Sequence, residues 1–214
     1  MPIALADPFV PVPTTGQGDL ALRYSHHGYT VRRKVLKLLG GAFYVYDPNG
    51  NLAFYSKQKA FKLKEDIRLF TGEDMQQEVL CIQARQVIDF SAAYDVIDPV
   101  AGEKVGALRR KGLKSMFKDE WIILDVHDRE IGLIKEGSAM LETVRRFIEF
   151  ASLLLPQAYH GEVNGQQVCS FKKNFNPLVL KVALDFSSDP TRLLDRRLGI
   201  AAAVLLCAIE GRQN

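Results

Sequence analysis

The sequence predicts a mainly β protein of the α+β class, in which an antiparallel barrel of about twelve strands encloses one apolar C-terminal helix. Two observations lead to this prediction. Short runs rich in aromatic and β-branched residues alternate with turn residues along most of the chain. The stretch of residues 198–209 contains no charged side chain. A helix that is apolar all round is buried on all sides or lies in a membrane.

Four β-hairpins provide the clearest strands. In the first, residues 43–46 and 52–55 flank the turn Asp47-Pro48-Asn49-Gly50, where Pro presets one backbone angle and Asn-Gly accepts positive φ. The pattern of strand, polar turn and strand recurs at residues 94–108, 121–134 and 158–171. Further strands are predicted at residues 60–64, 67–71, 78–85 and 178–185. That many short antiparallel strands must form a sandwich or close into a barrel to protect their edges.

The C-terminal helix is expected to fill the barrel. Ser188 or Asp189 can cap its first turn, Pro190 is tolerated at a first helical position, and Gly211 stands where a helix ends. A dozen helical residues rise about 18 Å, as does a strand of five or six residues. Because a barrel of about twelve strands is too wide for its own side chains to fill, we expect residues 198–209 to plug it.

Two other segments complete the predicted architecture. Apolar residues at helical spacing predict a surface helix at residues 138–155, which Pro156 ends. Residues 1–20 are rich in Pro, Thr and Gly and predict a flexible N-terminal arm. We therefore expect a single barrel domain over residues 21–214.

Composition and charge exclude several classes of protein. The 214 residues are enough for one large domain, and a net charge of +3 is too small to predict nucleic-acid binding. The three cysteines are far apart and fit neither a disulfide framework nor a zinc site, which favours a reducing compartment. The N-terminus lacks a secretory signal, and no stretch reaches the roughly 18 apolar residues of a membrane span. We expect a cytoplasmic protein without a transmembrane span or a nucleic-acid partner.

No constellation of residues predicts catalysis. The four histidines form no pair with metal-binding spacing, and Asp125, His127 and Asp128 lie in a hairpin turn that accounts for them. There is no phosphate-binding Gly-rich loop. Glu65-Asp66 and Glu73-Asp74 lack the alternating spacing of a calcium loop and are interpreted as solvated turn charges. We therefore expect no enzyme activity, no cofactor and no metal site.

Two basic clusters are the better candidates for a binding site. Their cations are Lys57, Lys59, Lys62 and Lys64 in the first, and Arg109, Arg110, Lys111, Lys114 and Lys118 in the second. The first alternates along the chain, which puts several lysines on one face of a strand. The second surrounds an apolar loop, and a basic loop with an apolar tip is attracted to an anionic membrane surface. The alternative is a barrel whose charged exterior has acidic residues interspersed, with no binding role.

The chain also resembles a known superfamily. The resemblance rests on residues 41–51, on residues 105–111 with 115–117, on Trp121 with its strand, and on the closing helix. These features are similar to those of LURP-one-related proteins, which share a superfamily with the Tubby C-terminal domain and the phospholipid scramblases. The resemblance implies a twelve-stranded barrel around a helix. Because the Tubby domain binds phosphoinositide head groups through basic residues, it also implies an anionic lipid ligand.

Three functions remain as hypotheses from the sequence. The first is a non-enzymatic binding module that recognises anionic phospholipid, peripheral to a membrane, through the two basic clusters. The second is a protein-interaction scaffold that contacts its partner through the Pro-rich arm or the helix at residues 138–155. The third is a scramblase-like activity in which the apolar helix enters the bilayer.

Overall fold

The computed structural model describes residues 15–36, 40–58, 66–85, 92–111, 120–137, 157–174 and 179–209. Within these ranges the chain forms two helices and twelve strands. In chain order they are α1 (Thr15–Arg23), β1 (Gly28–Leu36), β2 (Gly40–Tyr46), β3 (Leu52–Gln58), β4 (Ile67–Phe70), β5 (Glu78–Ala84), β6 (Ala93–Asp98), β7 (Glu103–Arg110), β8 (Trp121–Leu124), β9 (Glu130–Glu136), β10 (Ala158–Val163), β11 (Gln166–Asn174), β12 (Val179–Asp185) and α2 (Arg196–Ile209).

The twelve strands form a closed antiparallel barrel, which confirms the predicted fold class. Each strand pairs with its neighbours in the chain, and the ring closes where β1 pairs with β12. At this closure Val31 lies opposite Val182, and Arg33 lies opposite Leu180. Closure gives every strand two neighbours and so removes the free edge strands of an open sheet, which are its main aggregation hazard.

The five hairpin turns that lie within the described ranges are all at one end of the barrel, which we call the turn end. It contains the turns after β2, β4, β6, β8 and β10, and it is the end at which odd-numbered strands begin. The predicted turn at Asp47 forms there: its carboxylate accepts hydrogen bonds from the N–H groups of Asn49 (2.9 Å) and Asn51 (2.8 Å), and Gly50 has φ 84°. These bonds replace the ladder bonds that the turning backbone loses.

Helix α2 lies inside the barrel, as predicted. It contacts β12 and β1 on one side and β6 and β7 on the opposite side of the ring, and residues from Leu198 to Ala208 are at most 4% exposed. Near its last turn, the Arg33 guanidinium donates to the carbonyls of Cys207 (3.5 Å) and Ala208 (3.2 Å). A cation at this position complements the negative end of the helix dipole.

The helix begins later than the sequence predicted. Asp195, and neither Ser188 nor Asp189, caps it: the Asp195 carboxylate accepts the N–H of Arg197 at 2.8 Å. The Asp189 carboxylate instead accepts the N–H groups of Leu193 (2.8 Å) and Leu194 (3.1 Å), which folds residues 189–194 into a loop. Arg192 has φ 56° in this loop, which is incompatible with a right-handed helix.

Helix α1 begins inside the stretch that the sequence assigned to an N-terminal arm. Its Leu20 is buried in the barrel core at 8% exposure. Arg23 Nη1 donates to the carbonyls of Ala53 (2.9 Å) and Thr71 (2.9 Å), and Tyr24 stacks on Phe54 with ring centroids 4.8 Å apart. The helix therefore covers part of the turn end, because these contacts tie it to the adjoining strands.

Other predicted segments lie outside the described residues: the rest of the arm at residues 1–14, the strand at residues 60–64 and the surface helix at residues 138–155. In the part of the chain that is described, no helix has the length and apolar character required to span a membrane.

Candidate functional site

Cations and tyrosines share the outer wall of five consecutive strands: β3, β2, β1, β12 and β11. We call this surface the basic face. It consists of Arg32, Lys34, Tyr44, Tyr46, Tyr55, Lys57, Lys172 and Lys181.

Strand alternation explains why these side chains point outward. Val31, Phe43 and Phe54 are fully buried in the barrel core. Because successive side chains of a strand point to opposite faces, the neighbouring Arg32, Tyr44 and Tyr55 point out. The register then aligns them, since Arg32 pairs with Tyr44 and Tyr44 pairs with Tyr55.

Two cations of the basic face lie over tyrosine rings. The Arg32 guanidinium carbon is 4.9 Å from the centroid of Tyr46, and Lys34 Nζ is 5.1 Å from the centroid of Tyr44. The Tyr44 and Tyr46 rings are nearly parallel, with centroids 6.2 Å apart. Each cation–π contact contributes about 0.5–1 kcal/mol at an exposed site. The rings hold the two cations against the wall without neutralising their charge.

The cations of the basic face have no carboxylate within ion-pair distance in the described ranges, and Asp185 interacts with Lys172 only at longer range. In the described ranges, Arg32, Lys34, Lys57, Lys172 and Lys181 form no ion pair. Arg32 also lies directly opposite Lys181 across the β1–β12 closure. Like charges at directly opposite positions destabilise a sheet. An anion placed between these strands would relieve that repulsion.

The acidic group nearest to the tyrosines is Glu73. Its Oε2 atom accepts a hydrogen bond from the Tyr44 hydroxyl at 3.5 Å. Partial burial raises the pKa of Tyr44 and of Tyr55, and the Glu73 carboxylate raises both further. The single hydroxyl proton of Tyr44 is thus used by Glu73.

The structure places the described members of the two predicted clusters on different parts of the wall. Lys57 is exposed on β3 and belongs to the basic face, beside Lys34, because both flank Ala42 in the register. Arg109 and Arg110 end β7, and β4, β5 and β6 lie between them and β3. Both groups lie toward the barrel end opposite the turn end, but on different parts of the wall.

Two described cations of the second cluster are paired with acidic side chains. Arg109 forms an ion pair with Glu130, and Lys111 Nζ is 3.0 Å from a Glu120 carboxylate oxygen. The remaining proposed residues lie outside the described ranges: Lys59, Lys62, Lys64, Lys114 and Lys118. In the described part, the Lys57 region therefore has more uncompensated positive charge than the Arg109 region.

Sequence reasoning missed most of the basic face. The two predicted clusters contain neither Arg32 and Lys34 nor Lys172 and Lys181. Alternation within β1 could have identified Arg32 and Lys34, because the apolar Tyr29 and Val31, two residues apart, mark the inward side of the strand. The pairing of β1 with β12 joins distant parts of the chain, and no local pattern predicts it.

Other polar groups near the hairpin turns have structural partners. The Asp125 carboxylate accepts hydrogen bonds from the N–H groups of His127 and Arg129, both at 2.9 Å. These bonds stabilise a hairpin turn, which explains why Asp125, His127 and Asp128 lie close together in the sequence. Asp128 pairs with Lys104 at 2.7 Å. No group of three or more His, Cys, Asp or Glu side chains in the described ranges could hold a metal ion.

Comparisons with known proteins add little to this description. No family model matches the sequence, and no curated protein matches it. Among solved structures, a similarity is found to the X-ray structure of a protein from Arabidopsis thaliana. It has 13% sequence identity and a TM-score of 0.44, and it covers 86% of this chain and 95% of that chain. At these values the similarity bears on neither family nor function.

Proposed function

We propose that this protein is a non-enzymatic binding module that recognises anionic phospholipid head groups, with the basic face as its contact surface. The observation that carries the proposal is the group of five outward cations on β3, β1, β12 and β11, none of which has an ion-pair partner among the described residues. The proposed location is the cytoplasmic surface of a membrane, where anionic lipids attract such a patch.

Charge and aromatic content both support a lipid surface. Each Lys or Arg near an anionic membrane contributes about 1 kcal/mol. Tyrosine is favoured at membrane–water interfaces because its ring is apolar and its hydroxyl is polar. Tyr44 and Tyr46, which are partly exposed, lie beside Lys34 and Arg32 in this way. The sequence resemblance implies membership of the Tubby-like superfamily. The proposal includes this membership.

Vesicle co-sedimentation tests the proposal. The protein is mixed with phosphatidylcholine vesicles, with the same vesicles containing phosphatidylserine, and with vesicles containing phosphatidylinositol bisphosphate. We expect binding only to the anionic vesicles and weaker binding as salt is added. The double variant Lys34→Gln/Lys57→Gln should lower the partition coefficient about 30-fold, because two cations are lost.

A matched control removes two cations elsewhere. The double variant Arg109→Gln/Lys111→Gln has the same net charge as Lys34→Gln/Lys57→Gln. The two cations that it removes are paired with Glu130 and Glu120 in the unchanged protein. We expect it to bind nearly as the unchanged protein does. Equal binding to neutral and anionic vesicles at low salt would contradict the proposal. A loss confined to the control variant would move the site to β7.

The two alternatives from the sequence have less support. A scramblase-like activity requires α2 to enter a bilayer, and the burial of α2 within the closed barrel argues against it. A scaffold that acts through residues 1–14 or the helix at residues 138–155 would use segments outside the described residues.

A further inference from the structure

A cavity of about 390 Å³ opens at the turn end between α1 and the start of α2. One side of it is apolar and is formed by Leu20, Ala21 and Tyr24 of the α1 region together with Leu194. The volume lies within the range of small-molecule sites, which combine apolar walls with a few polar groups. The cavity is separate from the basic face, which lies on the outer wall.

The charged side of the cavity consists largely of internal pairs. Arg196 Nη1 is 3.1 Å from the buried Asp189 carboxylate. Arg197 contacts three carboxylates, those of Asp195 (2.7 Å), Asp98 (2.7 Å) and Glu103 (3.0 Å). Two of the three arginines that line the cavity therefore form ion pairs with carboxylates of the protein.

Arg192 is the third arginine of the lining, and it forms no ion pair in the described ranges. Its Nη2 atom donates to the carbonyl of Ser25 at 3.3 Å, which places the guanidinium at the rim beside the end of α1. The residue has φ 56°, a left-handed conformation that is unfavourable for arginine. Strained residues of this kind cluster at binding sites, where the surrounding structure holds them.

A buried carboxylate holds this strained loop. Asp189 is 0% exposed, and it binds the N–H groups of Leu193 and Leu194 as well as Arg196. The loop that results places Arg192 in the cavity lining, next in the chain to Leu193, which is 42% exposed. A cation that has no ion pair among the described residues therefore lines a partly apolar cavity.

We propose that this cavity binds a small amphiphile with one carboxylate head and an apolar tail. The Arg192 guanidinium receives the carboxylate, because its planar set of donors matches the two carboxylate oxygens. The tail packs on Leu20, Tyr24 and Leu194. A singly charged head is favoured over a phosphate monoester, because three carboxylates surround Arg197 and repel a doubly charged head more strongly.

Titration calorimetry with decanoate, below the concentration at which it forms micelles, tests the proposal. We expect saturable binding by the unchanged protein and binding weakened by at least about tenfold in Arg192→Asn, because a charge-assisted contact is lost. Asn tolerates a left-handed φ, so this variant should keep its thermal midpoint. Ala21→Phe fills the cavity without touching a charge and should also abolish binding.

Two controls separate the site from general charge effects. Arg129→Asn removes an exposed cation at another turn of the same end, where Arg129 pairs with Asp125, and should leave the affinity for decanoate unchanged. Decyltrimethylammonium has the opposite head charge and should bind at least about tenfold more weakly than decanoate. Absence of decanoate binding, unchanged affinity in Arg192→Asn, or equal affinity for the cationic amphiphile would each overturn the proposal.

Discussion

At the scale of single residues, Asp189 has the largest structural consequences. Its side chain is fully buried and accepts hydrogen bonds from two backbone N–H groups and from the Arg196 guanidinium. Arg196 in turn lies on the ring of Phe186, with its guanidinium carbon 4.2 Å from the centroid. One carboxylate thus fixes the start of α2, the loop before it and the rim of the cavity.

Replacement of Asp189 by Asn should destabilise the protein by about 3–5 kcal/mol. The variant leaves Arg196 charged and buried without a counter-ion, which is the costly way to break a buried ion pair. Urea denaturation measures the change in the free energy of unfolding. As a control, Arg129→Gln breaks the exposed pair with Asp125 and should change stability far less, because solvent screens exposed ion pairs. Similar effects of the two substitutions would contradict this account.

At the scale of secondary-structure elements, the two helices differ in how tightly they are packed. In α2, a Cβ atom added at Gly199 would collide with the Phe186 ring. In α1, a Cβ atom added at Gly18 would meet nothing within 4 Å. Gly199 therefore allows α2 to pack closely against Phe186. Among the described residues, no neighbour of Gly18 requires a glycine in α1.

The same substitution should have opposite effects in the two helices. Gly18→Ala should stabilise the protein by up to about 1 kcal/mol, because alanine has the higher helix propensity. Gly199→Ala should destabilise it by about 1–3 kcal/mol, because the collision outweighs the gain in propensity. Thermal unfolding of the two variants, compared with the unchanged protein, measures both. A stabilising effect of Gly199→Ala would mean that Phe186 moves aside freely.

At the scale of the whole molecule, barrel and helix share one hydrophobic core. Residues of α2 and inward residues of the wall belong to the same buried cluster, which includes Trp121 of β8. We therefore expect a single cooperative unfolding transition. Fluorescence of Trp121, the only tryptophan, should follow the same denaturation curve as far-ultraviolet circular dichroism. Two separated curves would show that α2 leaves the core before the wall unfolds.

The sequence contained most of the information about the fold. The turns at Asp47 and Asp125 and the uncharged run from Leu198 were sufficient for a barrel with a central helix, because these are local patterns. The start of α2 was not predictable, because Asp189 satisfies a capping pattern locally but is used by Arg196 instead. Helix α1 was missed because its stability comes from contacts of Leu20 and Tyr24 with the barrel.

The candidate sites were less accessible to sequence reasoning. Lys57 was identified from alternating lysines, a pattern of period two. Its association with Arg32 and Lys181 depends on the closure of the barrel between β1 and β12, which pairs segments far apart in the chain. The cavity at Arg192 depends on a loop whose conformation is set by a buried carboxylate. Both sites therefore follow from tertiary structure.

Because α2 runs through the barrel, the resistance of the molecule to a pulling force should depend on which end of the chain is pulled. The helix starts at the turn end, near Asp98, and its last turn lies near Arg33, toward the other end. A force that pulls the chain beyond Ile209 would slide α2 along its own axis, past the strands that it contacts inside the barrel. A force applied at Thr15 would load only the contacts of α1. The barrel should therefore resist traction on its C-terminal side far more strongly than traction on its N-terminal side.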